Sequence, residues 1–154
     1  MPVTVTASSA CYQLGPKLSN IRRAREQARK ALGDWGLDEH ADLAELVVSE
    51  LVTNAMCHGA GPVGVRLSCA ADRLRAEVHD HGVGRPVRRH ATGDDETGRG
   101  LQLLDGLTRL HGGELGVVED QHGPGKTVYV EVVLPGAAST WRGTSGSDRP
   151  VLRC

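Results

Sequence analysis

Two pairs of alternating segments constrain this chain more than anything else in its sequence. Val63 to Cys69 and Leu74 to Asp80 place an apolar residue at every second position, and Ala70 to Arg73 between them reads as a turn. Glu114 to Glu119 and Lys126 to Leu134 repeat the pattern around a turn at Gln121 to Gly125. Both pairs have the form of antiparallel hairpins whose apolar face needs a cover. Helical spacing supplies one. Leu18, Ile21, Arg25, Ala28 and Leu32 recur at helical intervals from Lys17 to Leu32, and Gly33 and Gly36 break that helix around Trp35. Asp38 is placed to cap a second helix running to about His58, where Gly59, Gly61 and Pro62 stop it. Val3 to Leu14 holds short β-compatible pieces, and Gly100 to Leu110 forms a short amphipathic helix between the hairpins. The order predicts an α+β fold, a two-layer sandwich in which helices cover one face of a mixed, mostly antiparallel sheet.

At 154 residues the chain fits one domain. Residues 1–136 are assigned to it, and the Gly-, Ser- and Arg-rich residues 137–154, which lack periodicity, to a flexible tail. No apolar run approaches the roughly 20 residues of a membrane helix, so no membrane contact is expected. Eighteen basic residues against nineteen acidic ones give a net charge of -1, which disfavours a general grip on nucleic acid. Tyr12, Trp35, Tyr129 and Trp141, the only aromatic residues, offer no platform for stacked bases. Cys11, Cys57, Cys69 and Cys154 are scattered, without a CxxC pair, and the first residues lack the pattern of a signal peptide. These features lead us to expect a cytoplasmic protein.

The second helix carries an anomaly. On a wheel of about 100° per residue with Leu43 at zero, Val47, Leu46 and Leu51 fall near 40°, -60° and 80° and define an apolar arc. Glu50, Asn54 and His58 fall near -20°, 20° and 60°, inside that arc, while Asp42, Glu45, Ser49 and Thr53 fall on the far side. A carboxylate and an amide aimed inward need polar partners, because burying them unpaired is costly. One such residue suggests an internal hydrogen bond. Three at a spacing of four suggest a ligand.

The loops add to this. Asp80 leaves a strand and enters Gly82-Val83-Gly84, a turn that small residues keep open to close approach. Gly98-Arg99-Gly100-Leu101 opens a helix, whose free N–H groups suit phosphate. From Gly82 to Gly98 the periodicity disappears over the length of a functional loop, which suggests a lid. Gly125-Lys126-Thr127 is not a P-loop, since Asp120 stands where the first glycine belongs and a strand follows instead of a helix. Gly82 and Gly84 are not a dinucleotide fingerprint either, because Pro86 and a polar loop follow. His79 and His81 share a strand face but lack the further ligands of a zinc site.

In order, ELVTNAMCH (Glu50 to His58), DHGVG (Asp80 to Gly84), GRGLQLL (Gly98 to Leu104) and GKTVYV (Gly125 to Val130) resemble the N, G1, G2 and G3 boxes of the GHKL ATPase superfamily. The likeness spans residues 10 to 135. The short chain and the wording VSELVTNA resemble the anti-sigma factor serine/threonine kinases within that superfamily. This resemblance implies a Bergerat-type ATP-binding fold with ATP and Mg2+ between helices and lid. By the resemblance, Asp80 takes the adenine amino group with support from Thr127, directly or through water, and Asn54 is the magnesium ligand. Gly82 and Gly84 let the backbone approach the nucleotide, Gly98, Gly100 and the helix opened by Leu101 cradle the phosphates, and Arg99 adds charge. Glu50 would be the general base and His58 a supporting residue.

The resemblance further implies a kinase that sequesters a sigma factor, phosphorylates an anti-anti-sigma partner of the STAS-domain type, and forms a homodimer. One alternative is a nucleotide-dependent interaction module without significant phosphotransfer, against which the retained Glu50 argues. Another is a stand-alone histidine-kinase-like ATPase domain, although the residues before position 10 offer no helix for a phosphoacceptor histidine.

Overall fold

A computed structural model describes residues 8–15, 17–70, 72–83 and 96–134. Strand β1 (Ser8–Leu14) leads into helix α1 (Asn20–Asp34), a 3-10 turn (Asp38–His40) and helix α2 (Ala41–His58). The hairpin of β2 (Val63–Ala70) and β3 (Arg73–Asp80), helix α3 (Glu96–His111), and the hairpin of β4 (Gly113–Glu119) and β5 (Lys126–Val133) follow. The five strands form one sheet in the order β1-β2-β3-β5-β4. Both hairpins lie where the alternation puts them. Among the described residues all four pairings are antiparallel, in keeping with the expected mostly antiparallel sheet. β3 and β4 do run the same way, with α3 connecting them, but β5 inserts between them and separates the parallel pair.

The pleat sorts the side chains strictly. Val63, Val65, Leu67 and Cys69 of β2, Leu74, Ala76 and Val78 of β3, and Val128, Val130 and Val132 of β5 are buried on the face that the helices cover. The other face carries Arg75, Glu77, Tyr129 and Glu131. There Arg75 lies 3.9 Å from the centroid of the Tyr129 ring and pairs with Glu77 and Glu131 at 3.2 and 3.4 Å.

The helices differ from the sequence expectation in register more than in extent. α1 buries Ala24, Ala28, Ala31 and Leu32, whereas Leu18 is exposed and Arg25 reaches across to Glu45. Gly33 lies inside α1, and Gly36, with φ of 72°, follows its end. Asp38 does not cap α2: it starts the 3-10 turn, and His40 precedes α2 without a side-chain cap. α3 begins at Glu96, four residues before Gly100, so Gly100 and Leu101 sit within the helix and do not open it.

The buried face of α2 consists of Ala41, Ala44, Val47, Val48, Ser49, Leu51, Val52 and Ala55. That face is turned by about a quarter to a third of a revolution from the arc expected around Leu43. The reason is that α2 packs on both α1 and the sheet, so the alanines facing α1 belong to its apolar surface. Ser49, expected in solvent, is buried, and Thr53 donates to the Ser49 carbonyl at 2.7 Å. Among the described residues no helix is long and apolar enough to cross a membrane. The expected tail at 137–154 and most of the expected lid, including Gly84, lie outside the described residues.

Candidate functional site

The turned register moves Glu50 and Asn54 from the centre of the buried face of α2 to its flank. Both are half-buried, and neither has a hydrogen-bond partner among the described residues. His58 is exposed at the end of the helix and does not join them. Glu50 lies against α3: a side chain on Gly100 would collide with its Oε2. With glycine there the carboxylate rests directly against the helix. Gly98 and Arg99 belong to the first turn of α3, where backbone N–H groups lack helical partners. Leu101 and Leu104 anchor that end in the core.

At the other end of α2 lies Asp80, the last residue of β3, with 1% of its surface exposed. Its Oδ1 accepts the Gly82 N–H at 2.7 Å and the Lys126 ammonium at 3.0 Å. Its Oδ2 is buried without a partner. A buried carboxylate oxygen with no donor is rare, and it marks a place where a donor from outside the chain fits.

Glycines make room for this carboxylate. A Cβ on Gly59 would lie 2.5 Å from Asp80 Cγ and from the Ala55 carbonyl, and one on Gly82 would lie 2.9 Å from Asp80 Oδ1. The His81 N–H donates to the Ala60 carbonyl at 2.8 Å, which ties the loop after α2 to the end of β3. Gly59 reads in the sequence as a helix stop, and its second role appears only when α2 and β3 are brought together.

The register corrects one expectation. Asp80 pairs with Lys126 across β3 and β5, while Thr127 pairs with His79. Paired residues share a face, so Lys126 faces Asp80 on the helix-covered side and the Thr127 side chain lies on the opposite face, beside Tyr129 and His79. The period of two therefore turns the Thr127 side chain away from the Asp80 carboxylate. Lys126 takes that place, with 3% exposure. In the sequence Lys126 lies in the Gly125-Lys126-Thr127 segment, and its alternation with Val128 and Val130 is the signal that places it on the buried face.

On the outer face His79 Nε2 lies 2.8 Å from Asp120 Oδ2, and the rings of His79 and His81 meet edge to face at 5.0 Å. The Asp120 N–H donates to the Gly125 carbonyl at 3.0 Å and closes the β4–β5 turn. No group of three or more metal-ligating side chains suited to a metal ion occurs among the described residues.

The sequence profile of a family described as the histidine kinase-like ATPase domain matches residues 14–129. No curated protein matches the chain at a significant level. Among solved structures, the histidine kinase AdeS of Acinetobacter baumannii is similar at 18% identity and a TM-score of 0.47, over 82% of this chain and 68% of that one. The histidine kinase domain of a blue-light activated histidine kinase from Erythrobacter litoralis EL346 is similar at 25% identity and a TM-score of 0.44. That match covers 79% of this chain and 62% of the relative, less than two thirds of its length.

Proposed function

We propose, for a chain that belongs to the histidine kinase-like ATPase domain family of the GHKL superfamily, that it binds Mg-ATP and acts as an anti-sigma factor serine/threonine kinase. The observation that carries the nucleotide assignment is the unpartnered Oδ2 of Asp80. It is a buried acceptor suited to the exocyclic amino group of adenine, and the lack of side chains at Gly59 and Gly82 leaves space beside the carboxylate.

From Asp80 the polar groups of α2 run back toward α3. Glu50 and Gly59 are separated by nine residues, or about 14 Å along a helix axis, so a nucleotide with its base at Asp80 would bring its phosphates past Asn54 to Glu50. The carbonyl oxygen of Asn54 would hold magnesium, which uses few protein oxygens and, when bound, neutralises phosphate charge. The first turn of α3, with Gly98 and Arg99, would receive the phosphates at its free N–H groups. Gly84 is assigned to the approach of backbone to nucleotide by the resemblance of the DHGVG segment alone.

Glu50 gives the kinase reading its chemistry. It would accept the proton of a serine or threonine hydroxyl while that oxygen bonds the γ-phosphorus and the bond to the ADP oxygen breaks. The pairing of Glu50 with Asn54 one turn later supports phosphotransfer over simple nucleotide-dependent association. The protein substrate would be an anti-anti-sigma protein of the STAS-domain type, the sequestered partner a sigma factor, and the working form a homodimer.

The test has two stages. Calorimetry with Mg-ATP should register saturable binding that Asn54→Ala abolishes. Incubation with γ-labelled ATP and a cognate STAS-domain protein should then place label on a serine or threonine of the partner. Binding without label would favour the interaction module, and label on histidine would favour a histidine-kinase-like activity.

A further inference from the structure

The nucleotide reading uses Asp80 and leaves Lys126 without a task. Lysine is seldom fully buried unless it is paired. Here the ammonium has one acceptor among the described residues, Asp80 Oδ1 at 3.0 Å, and its side chain is 4% exposed. An ammonium carries three N–H donors. Among the described residues, two of those donors have no acceptor. A buried ion pair serving the fold alone gains from satisfying the remaining donors and lone pairs, because desolvation otherwise outweighs attraction. This pair leaves both partners short, Lys126 of acceptors and Asp80 Oδ2 of a donor.

The two deficits are neighbours. Oδ2 belongs to the same carboxylate whose Oδ1 holds Nζ, so a free acceptor and free donors lie side by side. An amino group next to a ring nitrogen presents the complementary pattern, and adenine carries its amino group flanked by ring acceptors.

We propose that Lys126 is a base-reading residue: its ammonium donates to a ring nitrogen beside the amino group that Asp80 Oδ2 accepts. The inference rests on the nucleotide reading above. It places the specificity of the site in a charged pair that spans β3 and β5 at Asp80↔Lys126. The hydroxyl of Thr127, on the other face of the sheet, takes no part. A hydrogen bond from a charged donor is among the stronger kinds, so loss of the ring acceptor should weaken binding by about tenfold or more.

The experiment compares ATP, 1-deaza-ATP, 7-deaza-ATP and GTP on the wild-type chain and on Lys126→Met and Lys126→Arg, by calorimetry with magnesium. One of the two deaza analogues should bind the wild type about tenfold or more weakly than ATP, identifying the nitrogen that is read. Lys126→Met should bind ATP as weakly as the wild type binds that analogue, and should no longer distinguish the two. Lys126→Arg, which keeps a charged donor, should retain the distinction. If both deaza analogues bind the wild type as tightly as ATP does, or if GTP is preferred, Lys126 does not read adenine and the inference falls while nucleotide binding stands. Failure of the folded wild type to bind ATP would remove both. The analogue comparison on the wild type can overturn the inference even if Lys126→Met fails to fold, and Lys126→Arg then tests whether the distinction follows the charged donor.

Discussion

Glu50 lies against Gly100, and its carboxylate occupies the space where a side chain at position 100 would begin. Truncation of Glu50 should therefore leave the helix contact intact. Glu50→Ala is expected to bind Mg-ATP as the wild type does and to transfer no phosphate, read by calorimetry and by label on the partner protein. Gly59 presents the opposite case. Its φ of -97° suits any residue, so only space forbids a substitution. A methyl group there would press on the Ala55 carbonyl, which is backbone and cannot swing away, and on the Asp80 carboxylate. Gly59→Ala should cost about 1–3 kcal/mol by urea unfolding and weaken ATP binding in calorimetry. Asp80 was legible in the sequence because a strand ending in a carboxylate before glycine is a local signal. Lys126 was not, because its meaning depends on which residue of a strand 46 positions away lies opposite it. A register one residue different would have put Thr127 there, as the sequence reading assumed.

At the scale of elements, the hairpins were legible and the helix faces only partly so, for one physical reason. A strand in a one-sided sheet repeats every two residues and has a single buried face, so its pattern identifies the face directly. α2 is buried against both α1 and the sheet, and a reading that looks for one stripe of large apolar residues misses the alanine face. Ala24, Ala28 and Ala31 of α1 meet a helix whose Ala41 and Ala44 are equally buried, so the two backbones approach closely. Arg29 seals the rim by pairing with Asp42 and Glu45, whose hydrogen bonds hold its guanidinium charged. Ala44→Leu should overpack this contact and cost about 1–3 kcal/mol. At this chain length each kcal/mol lowers the melting temperature by about 2–4 °C, which a thermal melt followed by circular dichroism resolves. The reverse exchange at an exposed position of α3, Leu110→Ala, should leave the melt unaffected.

For the whole molecule, Cys69 offers a test that joins the site to the stability of the fold. It lies in β2, hydrogen-bonded on both sides by β1 and β3, with 5% exposure, while Cys57 at the end of α2 is exposed. Burial, with a smaller contribution from Asp72, pushes the Cys69 thiol above its ordinary value of 9.0. The folded state thus keeps a proton that the unfolded state releases first. The resulting stability is complete below about pH 9 and is lost as pH rises from there through the folded value, so replacing Cys69 with alanine should flatten the alkaline fall in stability. Near neutral pH a thiol reagent should modify Cys57 at once and Cys69 only when the sheet opens. Because β2 sits inside the sheet, that opening approaches global unfolding and its rate reports the free energy of the whole fold. A ligand held between α2, β3 and α3 binds only when those elements are assembled. At a free Mg-ATP concentration of about 100 times the dissociation constant it should stabilise the fold by about 2.7 kcal/mol and slow Cys69 labelling about a hundredfold. Asn54→Ala should cancel that protection without altering the labelling rate in the absence of nucleotide. If Mg-ATP leaves Cys69 labelling unchanged at concentrations that calorimetry shows to be saturating, the nucleotide sits elsewhere than between the sheet and its helices.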